Sequence, residues 1–182
     1  MISEVLERVA AALVAARIPY MVIGGQAVLV HGEPRLTRDI DITLGVSLDR
    51  LADIVAAAAE AGLAPLVDPQ TFVRETMVLP CADANSGVRV DLVLSDSSFE
   101  RAAIDRAVTV RLGSTDVRFV TPEDLIVHKV GAGRPRDLED VRSIVARQPR
   151  LDRQRVEQAL REFEPLLEAP LLERWREAAG SS

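Results

Sequence analysis

The sequence predicts an α/β (α+β) chain, with strands and helices mixed over its first two-thirds and helices alone over the last third. Three observations carry the prediction. Residues 2 to 17 repeat apolar side chains at helical spacing. Several later segments are short, β-branched and alternating. From Thr121 onward only helical patterning remains. A chain of 182 residues suits one domain, or one domain with a small appendage. The expected division is a core over residues 1 to 120 and a helical C-terminal region over residues 121 to 182, packed on that core.

The first helix places Ile2, Val5, Leu6, Val9, Leu13 and Ala16 on one face. "PYMVIG" reads as a short buried strand ending at the pair Gly24-Gly25. "GQAVLVHG" is long enough for about two helical turns, and "EPRLT" is a loop. "RDIDITLG" alternates and is β-branched, which predicts a strand. Ser47 is placed to cap a second helix, with Leu48, Leu51, Val55 and Ala58 on one face and Gly62 ending it. "TMVLPCAD" and "GVRVDLVLS" flank the turn-forming "ANSG" and predict a hairpin. Residues 98 to 107 are helical in pattern, and "VTVRLG" and "DVRFV" around "ST" predict a second, smaller hairpin. Thr121-Pro122-Glu123-Asp124 starts a helix: a capping Thr, Pro at the first position and a carboxylate three residues on. Helices continue to residue 178, broken by "GAGRP", "QPR" and "EAP", with no internal repeat.

Composition narrows the classes. Hydrophobic residues make up 48% of the chain but aromatics only 3%, so the core is built from Ala, Val, Leu and Ile. One cysteine, Cys81, rules out an internal disulfide and fits a reducing cytoplasm. The first eighteen residues carry Glu4, Glu7, Arg8 and Arg17 and lack an uninterrupted apolar stretch, which argues against a signal peptide. No run has the length needed to span a bilayer, so a cytoplasmic, membrane-free protein is expected. A net charge of -6 argues against bulk, nonspecific nucleic-acid binding. Between Val127 and Arg155, however, eight basic residues face four acidic ones, which leaves room for a local basic face. Twenty-one of the 22 basic residues are arginine, and the one lysine is Lys129.

The carboxylates are the informative feature. In a strand alternate side chains share a face, so Asp39 and Asp41 point one way while Ile40 and Ile42 face the core. Two anions this close repel unless a cation or strong donors compensate them. The pair is therefore either an ordinary solvated strand face or an oxygen-donor site for Mg²⁺. In "VRVDLVL", Asp91 lies on the polar face of a strand whose Val90, Leu92 and Leu94 face inward. If the two strands are neighbours, three carboxylates meet on one patch, which a two-metal phosphoryl-transfer site explains directly. Gly24 and Gly25 add the complement, a strand-to-helix turn where free amides face an anion and no β-carbon blocks its approach. A bare Gly-Gly is more often only a tight turn. The ordered set is what distinguishes this one.

That set resembles the signature of the DNA polymerase β-type nucleotidyltransferase superfamily: Gly-[Gly/Ser], a spacer, then Asp-x-[Asp/Glu]. Here the spacer runs from Gln26 to Arg38, and Asp91 stands where that superfamily carries its third carboxylate. "R-x-T-x-D-I-D" (Arg35, Thr37, Asp39, Asp41) and the later "HKVGAGRPRDLEDV" are similar to the AbiEii-like branch of bacterial nucleotidyltransferases, many of which are toxins of toxin–antitoxin pairs. The likeness covers residues 19 to 145. It implies a nucleotidyltransferase-like mixed sheet with flanking helices, residues 1 to 120 forming the catalytic core. It also implies transfer of a nucleoside monophosphate from a nucleoside triphosphate, ATP or another, to a hydroxyl of RNA, tRNA included, or of a protein. On the same likeness Asp39 and Asp41 hold Mg²⁺ on the triphosphate, with two ions in all. Asp91 shares the second ion and helps deprotonate the attacking hydroxyl. Gly24 and Gly25 cradle the outer phosphates, and Lys129 neutralises triphosphate charge. Asp137 lies near the site and orients Lys129 or Arg134. Its alternative is a helix-start charge favoured by the dipole.

Many relatives carry Ser at the second motif position; Gly25 followed by Gln26 leaves phosphate contact to backbone amides and Gln26. The resemblance also implies a cognate toxin or antitoxin protein as partner. A different class of function stands beside it, a partner-binding or AMP-adding antitoxin-like module. Small-molecule modification, as of an aminoglycoside, is disfavoured by the shortage of aromatics. Among the remaining candidates, His31 is expected to cap a helix end or lie on the surface, and His128 has no assigned role. Cys81 fills a strand, and Trp175 packs the last helix.

Overall fold

The alternating, β-branched segments hydrogen-bond into one mixed seven-stranded sheet in the computed structural model, which describes residues 1–180. The strands are β1 Tyr20–Ile23, β2 Ile40–Leu44, β3 Leu63–Pro65, β4 Val78–Asp83, β5 Arg89–Leu94, β6 Val108–Leu112 and β7 Thr115–Phe119, in the order β3-β4-β5-β2-β1-β7-β6. β2 runs parallel to β5, and β1 parallel to β7; the other neighbours are antiparallel. Both predicted hairpins form, β4–β5 and β6–β7. The inward positions are aliphatic as composition requires: Met21, Val22, Ile40, Leu44, Leu79 and Val90 have no exposed surface.

Two compact units divide the chain. The first comprises Met1–Gln26 and Leu36–Val120; the second comprises Ala27–Arg35 and Thr121–Ser182, of which the last two residues lie outside those described. The sheet belongs to the first unit, with α1 Ile2–Ala15, α3 Leu51–Glu60, α4 Pro69–Thr76 and α5 Ser98–Arg106. The helix α2 Gly24–His31 begins in the first unit at the glycine pair and ends in the second. The second unit packs α6 Pro122–Ala132, α7 Pro135–Arg147, α8 Arg153–Leu167 and α9 Leu171–Ala179 around Leu125, Ile144, Leu160 and Trp175. Arg153 lies 5.9 Å from the centroid of the Trp175 ring. Thr121 caps α6 as its sequence predicts, its side chain accepting from the Asp124 N–H at 3.2 Å. Among the described residues no helix is long and apolar enough to cross a membrane.

The local differences have physical causes. Ser47 does not cap α3: its hydroxyl bonds Asp49, and a 3₁₀ turn over Leu48–Arg50 precedes the helix. That shift of phase turns Leu51, Ile54, Ala57 and Ala58 inward in place of Leu48 and Val55. Thr76, read as the start of a strand, instead ends α4, where its hydroxyl donates to the Phe72 carbonyl at 2.8 Å and Met77 turns left-handed. His31 is buried, not on the surface, and its carbonyl accepts from the Gln148 amide at 2.9 Å.

Candidate active site

Asp41 sits in β2 between two partners. Its Cα pairs with Ile23 of β1 on one side and with Asp91 of β5 on the other. The period of two sends Ile40 and Ile42 into the core and leaves Asp41 half-buried on the opposite face. The same alternation buries Val90 and Leu92 around Asp91. The condition posed by the sequence is thus met: β2 and β5 are neighbours, and their aspartates stand directly side by side. Asp39 lies one residue ahead of the paired part of β2 and is exposed. Its carbonyl accepts from the Gln26 Nε2 at 3.2 Å. Gln26 is buried, so its side chain works on the protein, fixing the backbone at Asp39.

One guanidinium pairs with Asp91 within the field of the other two carboxylates. Arg89, two residues before Asp91 and on the same face, donates from Nε to Asp91 Oδ1 at 3.1 Å. Its pKa is held above the ordinary arginine value, first by that hydrogen bond and then by the field of Asp91, with Asp39 and Asp41 adding to it. A cation is therefore drawn to this patch by three acids at once.

The glycine pair closes against the same patch. Gly24 follows the residue paired with Asp41 and has φ +63°, a backbone state that disfavours any side chain. A Cβ there would fall 2.9 Å from Asp41 Cγ and closer still to Oδ2. A Cβ on Gly25 would fall 2.9 Å from Thr37 Cβ and closer still to its Oγ1. Side chains from the Asp-x-Asp segment thus occupy the room the two glycines leave.

In the second unit, Lys129 on α6 is buried. Its Nζ donates to Asp137 Oδ1 at 2.8 Å and lies 2.9 Å from Asp140 Oδ2. Arg35 grips Asp140 with two bonds, Nε to Oδ1 at 2.7 Å and Nη2 to Oδ2 at 2.8 Å. Arg134 Nε stands 3.7 Å from Asp137. Burial raises the Asp140 pKa, but the hydrogen bonds from Arg35 and Lys129 outweigh it and hold the carboxyl below its usual range. Two of the three ammonium donors of Lys129 are taken, so at most one remains for a phosphate oxygen.

The residues fit a divalent ion of a particular kind. Among the described residues no three His, Cys, Asp or Glu side chains form a ready cage. Mg²⁺ is commonly held by one or two carboxylates and completed by water and substrate phosphates. The register pair Asp41 and Asp91 supplies two such carboxylates, and Arg89 stands there as a cation in the same field.

A mixed sheet with a carboxylate pair beside a Gly-Gly helix start agrees with the nucleotidyltransferase resemblance of the sequence. The chain belongs to the family described as nucleotidyltransferase of unknown function (DUF6036), whose model matches residues 2–164. The same fold is seen in an antigenic nucleotidyltransferase-like protein from Paracoccidioides brasiliensis, 18% identical, with 97% of this chain and 92% of that one covered and a TM-score of 0.58. The antibiotic-resistance factor ANT(2'')-Ia is 15% identical, with 96% of each chain covered and a TM-score of 0.64. In a second structure, in complex with adenylyl-2''-tobramycin, ANT(2'')-Ia gives 17% identity, 87% and 94% coverage and a TM-score of 0.55. No curated protein matches the chain.

Asp39, Asp41, Asp91, Gly24 and Gly25 gather in the first unit as the sequence anticipates. Arg89 was missed, although its place two residues before Asp91 puts it on the same strand face. Arg35 and Thr37 stood inside the quoted motif without a role. Asp140 has Arg35 as its partner from far along the chain.

Proposed function

We propose that the protein is a Mg²⁺-dependent enzyme that moves a nucleoside monophosphate from a nucleoside triphosphate to a hydroxyl of RNA. The observation that carries the reading is the register pair Asp41–Asp91 set against the Gly24 turn. When bound, Mg²⁺ supplies positive charge to the triphosphate and to the departing pyrophosphate. Asp39 and Asp41 would hold the metal, and Asp91 would join them in holding a second ion. Asp91 also takes the proton from the acceptor hydroxyl. The hydroxyl oxygen bonds to the α-phosphorus as the bond to the β-phosphate bridge breaks and pyrophosphate leaves. Gly24 and Gly25 present main-chain N–H groups to the outer phosphates. Gln26 keeps Asp39 in place, and in the second unit Asp137 orients Lys129.

RNA is favoured as acceptor by the second unit's surface. Arg134, Arg136, Arg142, Arg147, Arg150 and Arg153 are exposed on or beside α7 and at the start of α8. Such a concentration of exposed arginines suits a phosphate backbone despite the net charge of -6. The likeness of the motifs "R-x-T-x-D-I-D" and "HKVGAGRPRDLEDV" to the AbiEii-like branch supports reading the enzyme as one member of a toxin–antitoxin pair. The test incubates the protein with each labelled nucleoside triphosphate, Mg²⁺ and, separately, total tRNA, lysate protein and an aminoglycoside. Label enters RNA with the wild type and not with Asp39→Ala. Undiminished labelling by the variant rejects the site, and labelling of protein or aminoglycoside alone rejects the acceptor.

A further inference from the structure

A position where relatives use serine is glycine in this chain, and the space beside it is already filled by a hydroxyl. A Cβ built on Gly25 would fall 2.9 Å from Thr37 Cβ and nearer still to Thr37 Oγ1. Gly25 has no positive φ to explain its lack of a side chain, unlike Gly24. What excludes a side chain at position 25 is the room Thr37 takes. Thr37 is half-buried, and among the described residues no hydrogen bond engages its hydroxyl. A hydroxyl donates one hydrogen bond and accepts others, so an unengaged one carries capacity for a ligand. It sits over the first turn of α2, where main-chain N–H groups have no partner within the helix.

We infer that Thr37 supplies the phosphate-binding hydroxyl of this site, reaching from the Asp-x-Asp segment to the place beside Gly25. The inference rests on the nucleotidyltransferase reading given above. Its ligand is a non-bridging oxygen of the triphosphate, to which the Thr37 O–H donates beside the amides of the glycine turn. Gly25 and Thr37 are then one unit: the glycine exists to admit the threonine. A serine at position 25 and a threonine at position 37 exclude one another.

The test is binding of magnesium tripolyphosphate and of magnesium ATP, GTP, CTP and UTP, measured by titration calorimetry on the whole protein. Thr37→Val keeps the shape and removes the hydroxyl. A lost hydrogen bond to a charged group weakens affinity by about ten- to a hundredfold. Thr37→Ser keeps the hydroxyl and stays near wild-type affinity. Gly25→Ser alone binds poorly because its side chain meets Thr37, and Gly25→Ser/Thr37→Gly regains affinity over Thr37→Gly. Wild-type binding by Thr37→Val overturns the inference, as does equal damage in Thr37→Ser, which would make the methyl group the reason for the residue. Labelling of RNA that depends on Asp39 while Thr37→Val binds normally defeats this inference and leaves the parent reading intact. A wild type that binds no triphosphate defeats both.

Discussion

Gly24 shows how much one missing atom decides. Its φ of +63° and the nearness of Asp41 leave no place for a methyl group. Gly24→Ala incurs the left-handed penalty of about 1–2 kcal/mol and pushes the Asp41 carboxylate from its position. Misplacement of a reacting group by about 1 Å is enough to lower turnover about a hundredfold. The expected outcome is a modest fall in unfolding free energy, read by denaturant titration, with a much larger fall in nucleotide incorporation. Equal, small losses in both would make the contact with Asp41 incidental. At this scale the sequence was legible where chemistry is local. Asp39, Asp41 and Asp91 announce themselves by spacing on strands. Gln26 does not, because a buried amide that serves a neighbouring carbonyl looks the same in sequence as one that meets a ligand.

Elements bring together residues that spacing alone keeps apart. Arg35 and Asp140 are 105 positions apart, yet two hydrogen bonds join them. With Lys129 and Asp137 they make a group of two cations and two anions in which all but Arg35 are buried. Breaking one member leaves an uncompensated buried charge, so Asp140→Asn is expected to cost about 3 kcal/mol of stability. The acid limb carries a second signature. The Asp140 pKa is lowered on folding, so its contribution is present above the ordinary aspartate range and is lost as pH falls through its depressed folded value. Wild-type stability should therefore fall below pH ~4, and the fall should be shallower in Asp140→Asn. Parallel acid limbs in the two proteins would refute the assignment.

The elements that escaped sequence reading are those with little to bury. β3 has three residues, and α4 buries only Val73. An apolar period cannot show itself over one inward side chain. The α3 region failed differently: its helical period was recognised, but the 3₁₀ turn before it shifted the phase. Helix starts marked by Thr-Pro or by a turn-forming break were read correctly, since a cap and a proline act through the backbone within a few residues.

For the whole molecule, net charge and site charge act in the same sense. An acidic chain that gathers three aspartates has to import positive charge before it can hold a triphosphate. Nucleotide with Mg²⁺ should therefore stabilise the protein against unfolding by about 2.7 kcal/mol at a hundred times its dissociation constant. Nucleotide in the presence of a chelator should stabilise it far less, and Asp41→Asn should lose most of the difference. Thermal unfolding curves measure all three, and equal stabilisation with and without the metal would count against a Mg²⁺ requirement.

Cys81 and Lys129 give the chain a chemical convenience. It has one thiol and one side-chain amine, and they fall in different units. Cys81 lies in β4 with no exposed surface, and burial, with Asp91 adding, pushes its thiol up to about 12. It is therefore masked from alkylating reagents until the strands beside Asp91 part. Lys129 is similarly shielded by its two aspartates. The native sequence thus carries a separate built-in reporter for each half: the rate of thiol capture follows opening of the sheet, and the rate of amine acylation follows loosening of the helices.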